Sequence, residues 1–93
     1  MEKIKIILTA YNMGAECDER DFAAWHTYVC EHIDEAIGFE VHEIEMHDYR
    51  NSPAEDTIVG ATDEQRDAIR EYLSHSGWDG FCATPEAWPT RSP

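Results

Sequence analysis

The chain has 93 residues, 42% of them hydrophobic and 11% aromatic, with a formal net charge of −13. That length suits one compact domain with a real core, residues 1–93, and excludes two domains or a disordered acidic tail. Twenty acids against seven Lys and Arg argue against direct binding of nucleic acid or an anionic membrane, because phosphate binding needs the opposite sign.

Lys3 to Ala10 reads as a strand, with Ile4, Ile6, Leu8 and Ala10 on one face. Ile7 on the other face suggests partial cover there. These first ten residues are too short and too charged for a signal peptide, and no apolar run reaches the length of a membrane span. Tyr11 to Glu16 is a loop, with Gly14 as its positive-φ residue.

Asp18 is the expected N-cap of a first helix that runs to Ile37 and stops at Gly38. Its apolar stripe is Phe22, Trp25, Val29, Ile33, Ala36 and Ile37, and Glu31, Asp34 and Glu35 fall on the outward face. Phe39 to Tyr49 is a second strand whose alternation changes phase. Phe39 and Val41 share one parity and Ile44 and Met46 the other, which a bulge near His42 and Glu43 reconciles. Arg50 to Asp56 reads as a turn, and Thr57 to Ala61 as a third strand paired antiparallel with the second.

Thr62 and Gln65 form a capping box for a second helix expected to end at Gly77. Gln65, Ile69, Tyr72, Leu73 and Ser76 make its inner face, and Asp63–Arg66 and Asp67–Arg70 can pair outside. Beyond it, Trp78 and Phe81 should pack, while residues 84–93 read as a loosely ordered tail. Trp88 is either a partner anchor or, as we favour, folded back over the open sheet face near Ile7. The order β-α-β-β-α implies an α/β (α+β) two-layer sandwich: a small mixed three-stranded sheet with two helices on one face.

Several clusters invite a chemical reading. Glu43, Glu45 and His47 project from one face of a regular strand, about 7 Å apart in sequence order. With His42 they can be read as a metal or ligand site, though their spacing matches no established metal motif. His26 and Cys30 stand at i,i+4 as a potential thiol–base pair, but no orienting group or oxyanion site is evident. Cys17, Cys30 and Cys82 are odd in number and widely spaced, which fits free thiols in a reducing, cytoplasmic setting. No catalytic residue, cofactor or metal is expected, and the chain reads as non-enzymatic.

The charge is concentrated. Residues 16–48 hold eleven acids and a single base, Arg20. Carboxylates at that density can imitate a phosphate backbone and occupy a cationic groove. The expected partner-binding residues are Glu31, Asp34, Glu35, Glu40, Glu43, Glu45 and Asp48, facing a basic nucleic-acid-binding protein. In length, acidity and want of catalytic residues the chain resembles the small anti-defence proteins of phages and mobile elements, the anti-CRISPR and antirestriction DNA mimics. That resemblance implies an inhibitor of a bacterial defence effector. Two other readings stand beside it: an acidic housekeeping interaction domain, and a homo-oligomer formed through Ile7 and the second strand.

Overall fold

The structure, a computed structural model, describes residues 3–14 and 16–90. The layout is a three-stranded mixed sheet covered on one face by helices. Strand β1 (Lys5–Leu8) is central, flanked by β2 (Glu43–Met46) in parallel and β3 (Thr57–Val59) in antiparallel orientation. The parallel pairing of the first two strands matches the expectation. The hairpin between the second and third strands does not form, because β3 crosses over to pair with β1.

The reason lies in the connection. Residues 47–56 are held against the exit of β1 by side chains: Thr9 N–H donates to Asp56 Oδ1 (2.9 Å) and Ala10 N–H to Ser52 Oγ (3.0 Å). The Thr9 hydroxyl donates to the Pro53 carbonyl. Asp48 caps a short 3-10 turn, Tyr49–Asn51, inside the same connection. These bonds carry the chain past the end of β1 and deliver β3 to its free side.

Helix α1 (Glu19–Ile37) starts and stops where its sequence says. Asp18 accepts from the Arg20 and Asp21 amides, Asp21 reaches back to the Asp18 amide, and Gly38 closes the helix with φ +84°. Such a capping box satisfies amides that the first turn leaves orphaned. Phe22, Trp25, Val29 and Ile33 are buried against Ile4, Ile6 and Leu8. Ala36, expected on that stripe, is exposed. The phase change in strand two is real: the amides of His42 and Glu43 both donate to the Ile4 carbonyl, at 2.9 and 3.2 Å. Two residues therefore oppose one, and Val41 and Ile44 both turn toward the helices.

The second helix departs furthest from expectation. Helix α2 (Asp63–Glu71) begins at the Thr62–Gln65 capping box, but it does not stop at Gly77. It widens into a π-helical segment, Tyr72–Ser76, and continues as α3 (Gly77–Cys82). Gly77 has ordinary helical angles, φ −71° and ψ −43°. Glycine is needed there for space: a Cβ would stand 2.5 Å from the Tyr72 ring. Ser76 is exposed rather than inward. Among the described residues neither Asp63–Arg66 nor Asp67–Arg70 closes as an ion pair, and Arg70 reaches Glu55 instead, at 3.5 Å.

The segment after α3 is docked as far as Thr90, contrary to the tail expected from residue 84; residues 91–93 lie outside the described residues. Trp88 is 1% exposed and stacks on Phe81 with centroids 4.3 Å apart. Its indole N–H donates to the Phe81 carbonyl at 2.9 Å. Thr90 then donates through its amide and hydroxyl to the buried carboxylate of Asp21. The tryptophan thus folds back onto the helical layer, and not over the open face of the sheet.

One polar group in this core lacks a partner among the described residues. The Tyr72 hydroxyl is buried without a hydrogen bond, and burial, reinforced by Tyr28, pushes its pKa up to about 12. An unpaired buried hydroxyl costs roughly 1–3 kcal/mol. Tyr72→Phe should therefore raise the stability by about 1 kcal/mol in urea denaturation; a loss would show that the hydroxyl has a bonded role.

Candidate functional site

The pleat decides where the expected acids point. Ile6 and Leu8 face the helices, so Lys5 and Ile7 face the open side, and their parallel partners Glu43 and Glu45 project with them. Lys5 sits between the two carboxylates, its Nζ 3.0 Å from Glu45 and 3.8 Å from Glu43. The Glu45 and Glu43 carboxylates hold the lysine above its ordinary pKa, so it stays charged. His47 shares this face but crosses toward β3, where Nε2 lies 3.0 Å from Thr57 Oγ1. A lysine therefore occupies the place a cation would take between Glu43 and Glu45. His42 is engaged elsewhere, its Nδ1 accepting from the Ile4 amide. Among the described residues no three His, Cys, Asp or Glu side chains converge as metal ligands.

The other expected acids divide by role. Asp48 caps its turn through the Arg50 amide and Asn51 side chain. Asp34 accepts from the Val41 amide at 3.0 Å and ties the end of α1 to the start of the second strand. Glu31, Glu35 and Glu40 are exposed around that tie. Hence Glu31, Asp34, Glu35 and Glu40 gather at the C-terminal end of α1, while Glu43 and Glu45 stand on the opposite face of the sheet. Asp48 lies at the far end of β2.

This grouping at the helix end is electrostatically unfavourable. A helix C-terminus carries partial negative charge and favours Lys, Arg or His. The last turn of α1 contains no basic residue, and Asp34 and Glu35 stand there instead. Asp34 recovers part of the cost through its bond to Val41, and Glu31 lies 3.9 Å from the imidazole of His32.

The His26–Cys30 pair is not arranged for thiolate chemistry. His26 Nε2 lies 2.6 Å from the Ile44 carbonyl, which can only accept, so this nitrogen carries its proton. It is the same nitrogen that lies 3.6 Å from Cys30 Sγ and thus is no base for the thiol. Burial, with the charges of Glu31 and Asp34, also pushes the Cys30 pKa up, which keeps the sulfur protonated.

A second feature went unmarked in the sequence. At the exit of β1 a cavity of about 190 Å³ is bounded by Trp25, Trp78, Met13 and Leu73 on its apolar side. Thr9, Asn12, Ser74 and Asp56 complete it. Asn12, Asp56 and Ser74 also border an adjoining outer cleft, completed by Ala54, Glu55 and Arg70. Burial raises the Asp56 pKa, against the opposing pull of the Thr9 and Asp56 amides, Arg70 and His47. The folded state therefore holds this proton more tightly than the unfolded chain does. The cost of the charged form is absent below the ordinary carboxylate range, grows as pH rises, and is complete above the raised pKa. Asp56→Asn, which keeps an oxygen for the Thr9 amide, should raise the melting temperature at pH 7. The gain should vanish on acidification to about pH 3; a gain independent of pH would exclude the carboxylate charge as its source.

Comparison with family models, curated proteins and solved structures finds no match for the chain. Among the described residues no helix is long and apolar enough to cross a membrane.

Proposed function

We propose that the chain is a non-enzymatic inhibitor that occupies the cationic, nucleic-acid-binding surface of another protein through the acidic end of α1. The observation that carries this reading is the placement of Glu31, Asp34 and Glu35 in the last turns of a helix whose final turn has no basic residue, with His32 beside Glu31 at 3.9 Å. Local electrostatics opposes these charges, and departures from local rules concentrate at functional sites. Glu40, just past Gly38, extends the same patch. Its carboxylates would steer the encounter and then pair with the Arg and Lys that otherwise hold phosphates. Glu43 and Glu45, already sharing Lys5, contribute mainly to the long-range field.

The bulk character of the chain, small and strongly acidic, suits the anti-defence class, in which the partner is a bacterial defence effector such as a CRISPR complex. The test is capture from a host lysate on the immobilised chain, at low and moderate salt, with bound proteins identified by mass spectrometry. The expected catch is a basic nucleic-acid-binding protein released by added DNA or RNA and by salt. Capture of only the chain's own copies, or of proteins indifferent to nucleic acid and salt, would refute the proposal.

A further inference from the structure

The cleft at the exit of β1 combines features that the acidic patch does not explain. Its inner wall is aromatic: Trp25 and Trp78 meet edge to face, with centroids 5.1 Å apart, and both border the cavity. Its polar side carries one carboxylate, Asp56, set where the inner cavity and the outer cleft meet. The Thr9 amide fixes one oxygen of that carboxylate at 2.9 Å, so the group is positioned by the sheet and not by a mobile loop tip.

The helix beside the cleft is also distorted. Leu73 and Ser74, which line the cavity, lie within the π-helical segment Tyr72–Ser76. Such a widening weakens regular helical hydrogen bonding and occurs frequently at functional sites. Aromatic faces attract cations, and a half-buried carboxylate gains most from an opposite charge beside it. The cavity has room for roughly six waters at liquid density, which sets the ligand at the size of a small amine. Arg70 at the outer rim faces Glu55 at 3.5 Å, so its charge is shared between Glu55 and Asp56.

We propose that this cleft is a binding site for a small organic cation, an ammonium or guanidinium group on a flat apolar body, with Asp56 as counter-ion and Trp25 and Trp78 as the apolar wall. This site is separate from the acidic end of α1 and does not depend on the function proposed for it. The occupant is a free small molecule, and recognition rests on charge and the aromatic wall together.

Phenethylamine is a suitable probe, with 3-phenylpropionate as its anionic counterpart of similar size. Each is titrated into the ¹⁵N-labelled chain while the indole N–H signals of Trp25 and Trp78 are followed. The amine should shift them saturably, and the carboxylate should leave them in place at equal concentration. Asp56→Asn should weaken the amine at least tenfold, whereas Glu64→Gln, which removes an exposed charge outside the cleft, should change its affinity less than twofold. Because Asp56→Asn is expected to stabilise the fold, its melting curve confirms that a lost response is not unfolding. Equal binding of amine and carboxylate, equal losses in the two variants, or no saturable shift by the amine at tens of millimolar would each overturn the proposal.

Discussion

Replacing Trp88 with alanine should cost about 3–5 kcal/mol of unfolding free energy in urea denaturation followed by circular dichroism. The side chain is buried to 1% exposure and makes a stacked contact with Phe81 and an edge contact with Trp78. Truncation removes that area, leaves a cavity that α1 and α3 can only partly fill, and strips the Phe81 carbonyl of its indole donor. It also loosens Thr90, whose amide and hydroxyl serve the buried Asp21 carboxylate. A domain of this size has about 5–10 kcal/mol in total, so the variant should lose roughly a third or more of its stability. A loss below about 1 kcal/mol would mean that the last described turn is an accessory and not part of the core.

The second large effect separates binding from folding. Glu31→Lys, Glu35→Lys and Glu40→Lys, made together, should abolish capture of the cationic partner. The same variant should be as stable as the parent, or more stable by about 1 kcal/mol. Two of the new lysines stand near a helix C-terminus, where positive charge is favoured, and the high net negative charge falls. Asp34 is left intact because its carboxylate holds the Val41 amide. Loss of capture together with a stable fold assigns the acids to recognition. Retained capture would place the contact elsewhere on the molecule.

These two predictions draw on different depths of information. Helix α1 was legible in full because its signals are local: Asp18, the three-and-four spacing from Phe22 to Ile33, and Gly38. The bulge before β2 was legible too, because a change of phase in a buried pattern has few structural solutions. The course of the second helix was not. Gly77 looks like a stop signal in the sequence, and only the approach of the Tyr72 ring shows why glycine stands inside a continuous helix.

The pairing of β3 with β1 was hidden for a similar reason, since it depends on Thr9 and Ala10 bonding to Ser52, Pro53 and Asp56 across some forty residues. The outward direction of Glu31, Asp34 and Glu35 could be read from helical spacing. That Lys5 stands between Glu43 and Glu45 needed the strand register. The Asp56 cleft left no sequence motif. Its aromatic wall comes from α1 and α3, its carboxylate from the turn before β3, and no spacing links them.

The central claim is that the chain and nucleic acid compete for one cationic surface. Its most direct test is to titrate the protein recovered by capture with labelled duplex DNA at fixed salt, with increasing amounts of the chain. The account predicts competitive displacement: the apparent DNA affinity falls in proportion to added chain, and the Glu31, Glu35 and Glu40 lysine variant leaves it unchanged. A stable ternary complex with DNA affinity unaltered would contradict the account.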